Sequence, residues 1–203
     1  LSLADNQVSD LSPLANLTNL FGLYLYLNQI SDVSPLANLT NMTGIFLGHN
    51  QITDISPLTA LTKLDWLYLD YNQISDISPL AGLTKLNWVH VDHNQISDLS
   101  PLTGLLHLDN VDLCSNWLNT PAYCQSLPVI LANNPGVTLS YDPNPNPLTS
   151  DCVTDLPDLA DWAAAWLEGD CDPSNSWCTH GDLDHDGVVD LRDWAIFAGL
   201  WQP

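Results

Sequence analysis

The sequence predicts an α/β solenoid, a horseshoe of short parallel strands and 3₁₀ or short helical turns, followed by a small all-α module. Asn-Gln-(Val/Ile) recurs at Asn6, Asn28, Asn50, Asn72 and Asn94 in steps of 22 residues, and Asn116 continues the register. Leucine-class residues keep fixed places between these asparagines. The period stops at Asp142-Pro143-Asn144-Pro145-Asn146-Pro147, after which an acidic tail with a different pattern begins. A constant period of this length marks a solenoid, because one repeat cannot bury its own apolar face and must stack on the next.

One full unit runs Leu64-Asp65-Trp66-Leu67-Tyr68-Leu69-Asp70-Tyr71-Asn72-Gln73-Ile74, then Ser75-Asp76-Ile77-Ser78-Pro79-Leu80-Ala81-Gly82-Leu83-Thr84-Lys85. Leu67 and Leu69 alternate on a short strand and point into the coil, so Trp66, Tyr68 and Asp70 point out. Each ladder asparagine stands where the chain turns, and its amide can satisfy buried backbone groups. The Ser-Pro pairs at Ser12, Ser34, Ser56, Ser78 and Ser100 are expected to be an N-cap and a first-turn proline. The aspartates before them (Asp10, Asp32, Asp54, Asp76, Asp98) solvate the convex side and complement helix N-termini. Residues 117–141 form a C-terminal cap, with a helix from Thr120-Pro121, a turn at Asn133-Asn134-Pro135-Gly136 and a last strand over residues 137–141. The chain opens inside a repeat at Leu1-Ser2-Leu3, without initiator Met, signal peptide or N-terminal cap, and is expected to be a piece of a longer protein.

The L-x-x-L-x-L-x-x-N-x-I pattern resembles the leucine-rich-repeat consensus, and its unbroken 22-residue form resembles the bacterial internalin-like class, over residues 1–141. In register, the outward strand positions form columns. Gly22, Gly44, Trp66, Trp88 and Asn110 precede the first strand leucine; Ser2, Tyr24, Phe46, Tyr68, His90 and Asp112 follow it. The next two columns are Ala4, Tyr26, Gly48, Asp70, Asp92, Cys114 and Asp5, Leu27, His49, Tyr71, His93, Ser115. Tyr24, Tyr26, Phe46, Trp66, Tyr68 and Trp88, with His90 beside them, are too large and too outward-facing to be core. Aromatic clusters on a rigid exposed surface are what interfaces are made of. The concave face is therefore expected to bind a protein, or else a glycan on the same platform. The run His90-Val91-Asp92-His93 is taken as solvated surface, since within it only His90 and Asp92 share a face.

Residues 142–148 form an extended Pro/Asn linker, and residues 149–203 a module with an internal duplication. Asp155-Leu156-Pro157-Asp158 and its following helix align with Asp190-Leu191-Arg192-Asp193 at an offset of 35. Before the second helix, Asp182, Asp184, Asp186, Asp190 and Asp193 occupy positions 1, 3, 5, 9 and 12 of an EF-hand-type loop, with Gly187 at 6 and the Val188 carbonyl at 7. Hard oxygen ligands at that spacing wrap Ca2+. The first loop keeps Asp151, Val153, Asp155 and Asp158 but has Cys152 in place of the glycine, which makes it a weak second metal site. A disulfide from Cys152 to Cys171 or Cys178 is the expected substitute for the lost ion. The doubled loop-helix resembles a dockerin type I module. That resemblance implies docking to a cohesin or another cell-surface partner and service in a polysaccharide-degrading system. Where the family carries a small polar pair at loop positions 10 and 11, this chain has Leu156-Pro157 and Leu191-Arg192.

Charge narrows the function. The net charge is −21, and Lys63, Lys85 and Arg192 are the only Lys or Arg residues, against 24 acidic ones. A nucleic-acid binder needs several cations on one face, and an anionic membrane surface attracts them equally. Neither partner fits. No apolar run is long enough to span a bilayer. The five cysteines lie outside the regular repeats, which suggests an oxidising, extracellular setting. With no CxxC pair or Cys/His spacing, zinc is not indicated by the sequence. No nucleophile–base pair or phosphate loop is present, so the chain is expected to bind rather than catalyse.

Overall fold

The repeat length sets the register of the sheet. A computed structural model describes residues 1–142, one compact unit. Six strands of three residues each pair in parallel in chain order: β1 Gly22–Tyr24, β2 Gly44–Phe46, β3 Trp66–Tyr68, β4 Trp88–His90, β5 Asn110–Asp112 and β6 Thr138–Ser140. Every pairing from β1 to β5 joins residues 22 apart, as in Leu23↔Ile45 and Tyr68↔His90. Ser2 adds a bridge to Tyr24. The last step, Val111↔Leu139, is longer because the cap is inserted.

Alternation along these strands creates the core. Leu23, Ile45, Leu67, Val89 and Val111 point inward and are buried, as are Leu25, Leu47, Leu69, Val91 and Leu113 two residues on. They meet Leu36, Leu58, Leu80 and Leu102 from the opposite wall, where 3₁₀ turns run Ser34–Leu36, Ser56–Ala60, Ser78–Leu80 and Ser100–Leu102.

The asparagine ladder is the polar counterpart of this core. Asn72 is buried, and its amide nitrogen donates to Leu47 O at 3.0 Å, Leu69 O at 3.1 Å and Asp70 O at 3.1 Å. Its oxygen accepts from Ile52 N–H at 2.9 Å. Asn28, Asn50, Asn94 and Asn116 repeat the arrangement. Backbone groups facing inward at each turn are thus paired within the coil and to the coil before it.

One expectation about the turns is corrected. The Ser-Pro serines are not side-chain caps; none of these 3₁₀ turns has a side-chain cap bond from its N-cap residue. The preceding aspartate does this work. Asp98 Oδ1 accepts from Ser100 N–H at 2.8 Å and Oδ2 from the Ser100 hydroxyl at 2.7 Å. Asp10, Asp32, Asp54 and Asp76 likewise accept from the amide and the hydroxyl of the serine two residues on, Asp10 through Oδ1 alone. An aspartate reaches the amide two residues on more readily than serine reaches its own turn, because its carboxylate sits one bond further out.

These bonds hold the carboxyls of Asp10, Asp54 and Asp98 below the ordinary range; the Ser100 amide and then its hydroxyl are the cause at Asp98. Their stabilisation is therefore present above the unfolded carboxyl pKa, about 3.9, and is lost as pH falls through the lower folded value. Asp98→Ala is expected to lower the melting temperature at pH 7. As pH falls below the unfolded carboxyl pKa, about 3.9, the gap between variant and wild-type curves should narrow. A gap that keeps its size as pH falls would contradict the assignment.

The cap begins with the expected helix near Thr120, but its first turns are wound as a π-helix, Ala122–Ser126, before α1, Leu127–Asn133. Ala122, Leu127 and Ile130 close the apolar core, and Asn134 bonds Leu105 O and Leu108 N–H as a ladder residue would. No helix among the described residues is long and apolar enough to cross a membrane. The Pro/Asn linker after Asp142, the acidic loop 182–193 and the weaker loop 147–158 lie outside the described residues.

Candidate functional site

The strand alternation that buries the leucines leaves the other face of the sheet open, and its side chains stack across the 22-residue register. Tyr24 lies on Phe46 (ring centroids 4.4 Å apart, planes 6°), Phe46 on Tyr68 (4.8 Å), and Tyr68 on His90 (4.4 Å). Trp66 meets Trp88 at 6.2 Å and the edge of Phe46 at 6.4 Å. Parallel strands about 4.8 Å apart place successive rings at stacking distance without adjustment. All seven residues expected on this surface are on it. Tyr24, Tyr26 and Trp66 are exposed, while Phe46, Tyr68, Trp88 and His90 are half-buried by their stacked neighbours.

Small residues shape the edge of this platform. Gly22 and Gly44 stand where the next two coils carry Trp66 and Trp88. The space they leave is a cleft of about 220 Å³ lined by Phe21, Tyr24, Phe46 and Trp66. A Cβ on Gly44 would come within 3.3 Å of the Phe46 ring, so the glycine lets that ring lie flat. At the strand-entry edge a second cleft, about 640 Å³, holds Lys63, Lys85 and His107 beside Asp65 and Asn87.

Beyond the strands lies a column whose conformation the sequence did not reveal. Asp5, Leu27, His49, Tyr71, His93 and Ser115 all have φ between 50° and 57°. A left-handed residue costs about 1–2 kcal/mol when it has a Cβ. Here it turns the following ladder asparagine inward, whose hydrogen bonds offset the cost. The geometry also stacks His49 on Tyr71 at 4.1 Å and Tyr71 on His93 at 3.9 Å, extending the platform by a second ring series. The available signal was negative: glycine, the usual left-handed residue, is absent from this column.

Acidic groups mark the far side of the platform. Asp70 packs over Gly48, where a Cβ would overlap its carboxylate. Burial, and next the charge of Asp92, push the Asp70 carboxyl above its ordinary value. Asp112 accepts from Cys114 N–H at 3.1 Å. The Cys114 thiol, free among the described residues, is pushed up to about 11 by burial and by its hydrogen bond to Asp112. Along β3 and β4 the face thus passes from a lysine (Lys63, Lys85) through aromatic rings to a carboxylate (Asp70, Asp92).

Comparisons with known proteins agree with this architecture. The leucine-rich-repeat family profile (Leucine Rich repeats, 2 copies) matches residues 18–60 and 62–104. Internalin C2 of Listeria monocytogenes is 37% identical, with TM-score 0.61, the match covering 69% of this chain and 69% of that one. The internalin InlF of the same species is 39% identical with TM-score 0.61 over 76% of this chain. The chain spans only 46% of InlF. A leucine-rich-repeat protein of Leptospira interrogans, 21% identical with TM-score 0.55, covers 69% of this chain and is matched over 42% of its own length. It shares the fold. No curated protein matches.

Proposed function

The chain belongs to the internalin-type leucine-rich-repeat family, and from that premise we propose that it is a secreted, non-catalytic binding protein whose open sheet face docks a protein partner. The observation that carries this is the continuous ring series Tyr24–Phe46–Tyr68–His90 with Trp66 and Trp88 alongside. A sheet could satisfy its strand propensities with valine and threonine on this face. Large rings already ordered by stacking lose little conformational entropy on binding, and such residues dominate interface energies. The charged edges then fix the orientation in which a partner crosses the strands.

The test compares the wild-type chain with Trp66→Ala and Trp88→Ala in pull-downs from cell-surface protein extracts. Central hot-spot rings contribute about 2 kcal/mol or more each, roughly a thirtyfold loss of affinity. A partner retained equally by all three proteins would overturn the reading. Glycan-array binding that disappears in the same variants would assign the face to carbohydrate instead.

The tail is proposed to be a dockerin-like attachment module that binds Ca2+ through Asp182, Asp184, Asp186, the Val188 carbonyl, Asp190 and Asp193. The support is the loop spacing, with Gly187 at its required turn. Added Ca2+ should raise the melting temperature of the tail, and Asp186→Ala should remove most of the gain. Identical wild-type melts with Ca2+ and with chelator would contradict the assignment.

A further inference from the structure

We propose that His90, Asp92 and Asp112 form a binding site for one borderline divalent ion of the zinc class. One imidazole nitrogen and one oxygen from each carboxylate all lie within 4.8 Å of one another. The repeat geometry brings them together. His90 and Asp112 are register partners on β4 and β5, and Asp92 follows His90 by two residues, on the same face. Within a single repeat this cluster is invisible, because its third ligand comes from the next coil.

The distances suit the ion. Zinc binds nitrogen and carboxylate oxygen at about 2.0–2.2 Å, which puts tetrahedral ligand atoms about 3.4 Å apart. Side-chain rotations moving each atom by about 1 Å close the present arrangement to that spacing. An imidazole in the set selects zinc, cobalt or nickel over calcium and magnesium, which prefer oxygen alone.

A separate observation supports the assignment: every ligand is oriented by a group outside the triad. His90 Nε2 lies 2.8 Å from Asn110 Oδ1, a contact that holds the ring in place. Asp92 Oδ2 is 2.9 Å from His93 Nδ1. Asp112 Oδ1 accepts from Cys114 N–H at 3.1 Å. Metal-binding imidazoles and carboxylates characteristically carry such outer partners, which fix tautomer and orientation before the ion arrives. The local charge also calls for a cation. Among the described residues the carboxylates pair with histidine alone, and Lys63 and Lys85 stand at the opposite edge of the face. Three protein ligands leave a fourth position open to water or an incoming group.

The test is zinc titration of the full chain by calorimetry, in millimolar Ca2+ so that all-oxygen loops are already filled. Visible absorption of added Co2+ gives a second readout. His90→Gln and Asp112→Asn should each weaken one zinc event about tenfold or more and remove the cobalt bands. Asp112→Asn keeps the oxygen that accepts from Cys114 N–H and should melt like wild type in chelator; His90→Gln gives up the ring stacked on Tyr68 and is compared with its own chelator melt. Asp92→Asn provides a third variant should either of these melt early. Zinc heats unchanged in the variants would place the ion elsewhere in the chain and overturn the proposal. So would a wild-type chain that takes up no zinc.

Discussion

Asn72→Ala is expected to destabilise the repeat domain by about 2–4 kcal/mol, although it removes no apolar packing. The substitution strands Ile52 N–H and withdraws the donor shared by Leu47 O, Leu69 O and Asp70 O. The site is too buried for water to replace the amide without opening the coil. A buried polar group left unpaired costs about 1–3 kcal/mol, and here several are exposed to that loss together. For a domain of this size the melting temperature should fall by roughly 5–15 °C. Asn72→Asp separates hydrogen bonding from shape. The carboxylate can still accept from Ile52 N–H but donates nothing to the three carbonyls. Its folded pKa must therefore be raised. Stability lost at pH 7 should be partly recovered below the unfolded carboxyl pKa, about 3.9, where the acid is protonated and donates again. A variant equally unstable at pH 3 and pH 7 would contradict the donor role.

Leu67→Ala is expected to cost a similar amount, about 2–5 kcal/mol, through a different mechanism. Leu67 is fully buried in β3 between Ile45 and Val89 of the flanking coils. Truncation opens a cavity that rigid neighbouring coils cannot collapse around, because the ladder and the sheet fix their spacing. The urea midpoint should shift while the slope stays constant, since the area exposed on unfolding barely changes. A much lower slope would mean that the solenoid has split into independently melting halves, the expected failure of a nearest-neighbour array.

Much of this fold was legible in the sequence, for a local reason. Strand alternation at Leu67 and Leu69, the 22-residue step and the ladder asparagines all report on contacts within one coil or with the next identical coil. Reading the columns in register therefore placed Tyr24, Tyr26, Phe46, Trp66, Tyr68, Trp88 and His90 on one face correctly. Features that escaped depend on competition between nearby groups. Asp98 rather than Ser100 holds its 3₁₀ turn, since its carboxylate accepts from both the Ser100 amide and the Ser100 hydroxyl. Tyr71 and Leu27 adopt left-handed backbone against their intrinsic preference, because the following asparagine rewards it. The π-turn at Ala122–Ser126 has no sequence rule that names it. His90, Asp92 and Asp112 stand in neighbouring register columns, but only side-chain positions show that their ligand atoms converge within 4.8 Å.

The central claim, that the open aromatic face is the docking surface, is tested most directly by site-specific photocrosslinking. A benzoylphenylalanine at Tyr68 would sit among the stacked rings. One at Gly82 would project into open space on the opposite side, where an added side chain meets nothing within 4 Å. The account predicts that irradiation in a cell-surface protein extract yields a discrete adduct from position 68, lost on adding Trp66→Ala, and none from position 82. Adducts from position 82 alone, or equal adducts from both, would contradict it.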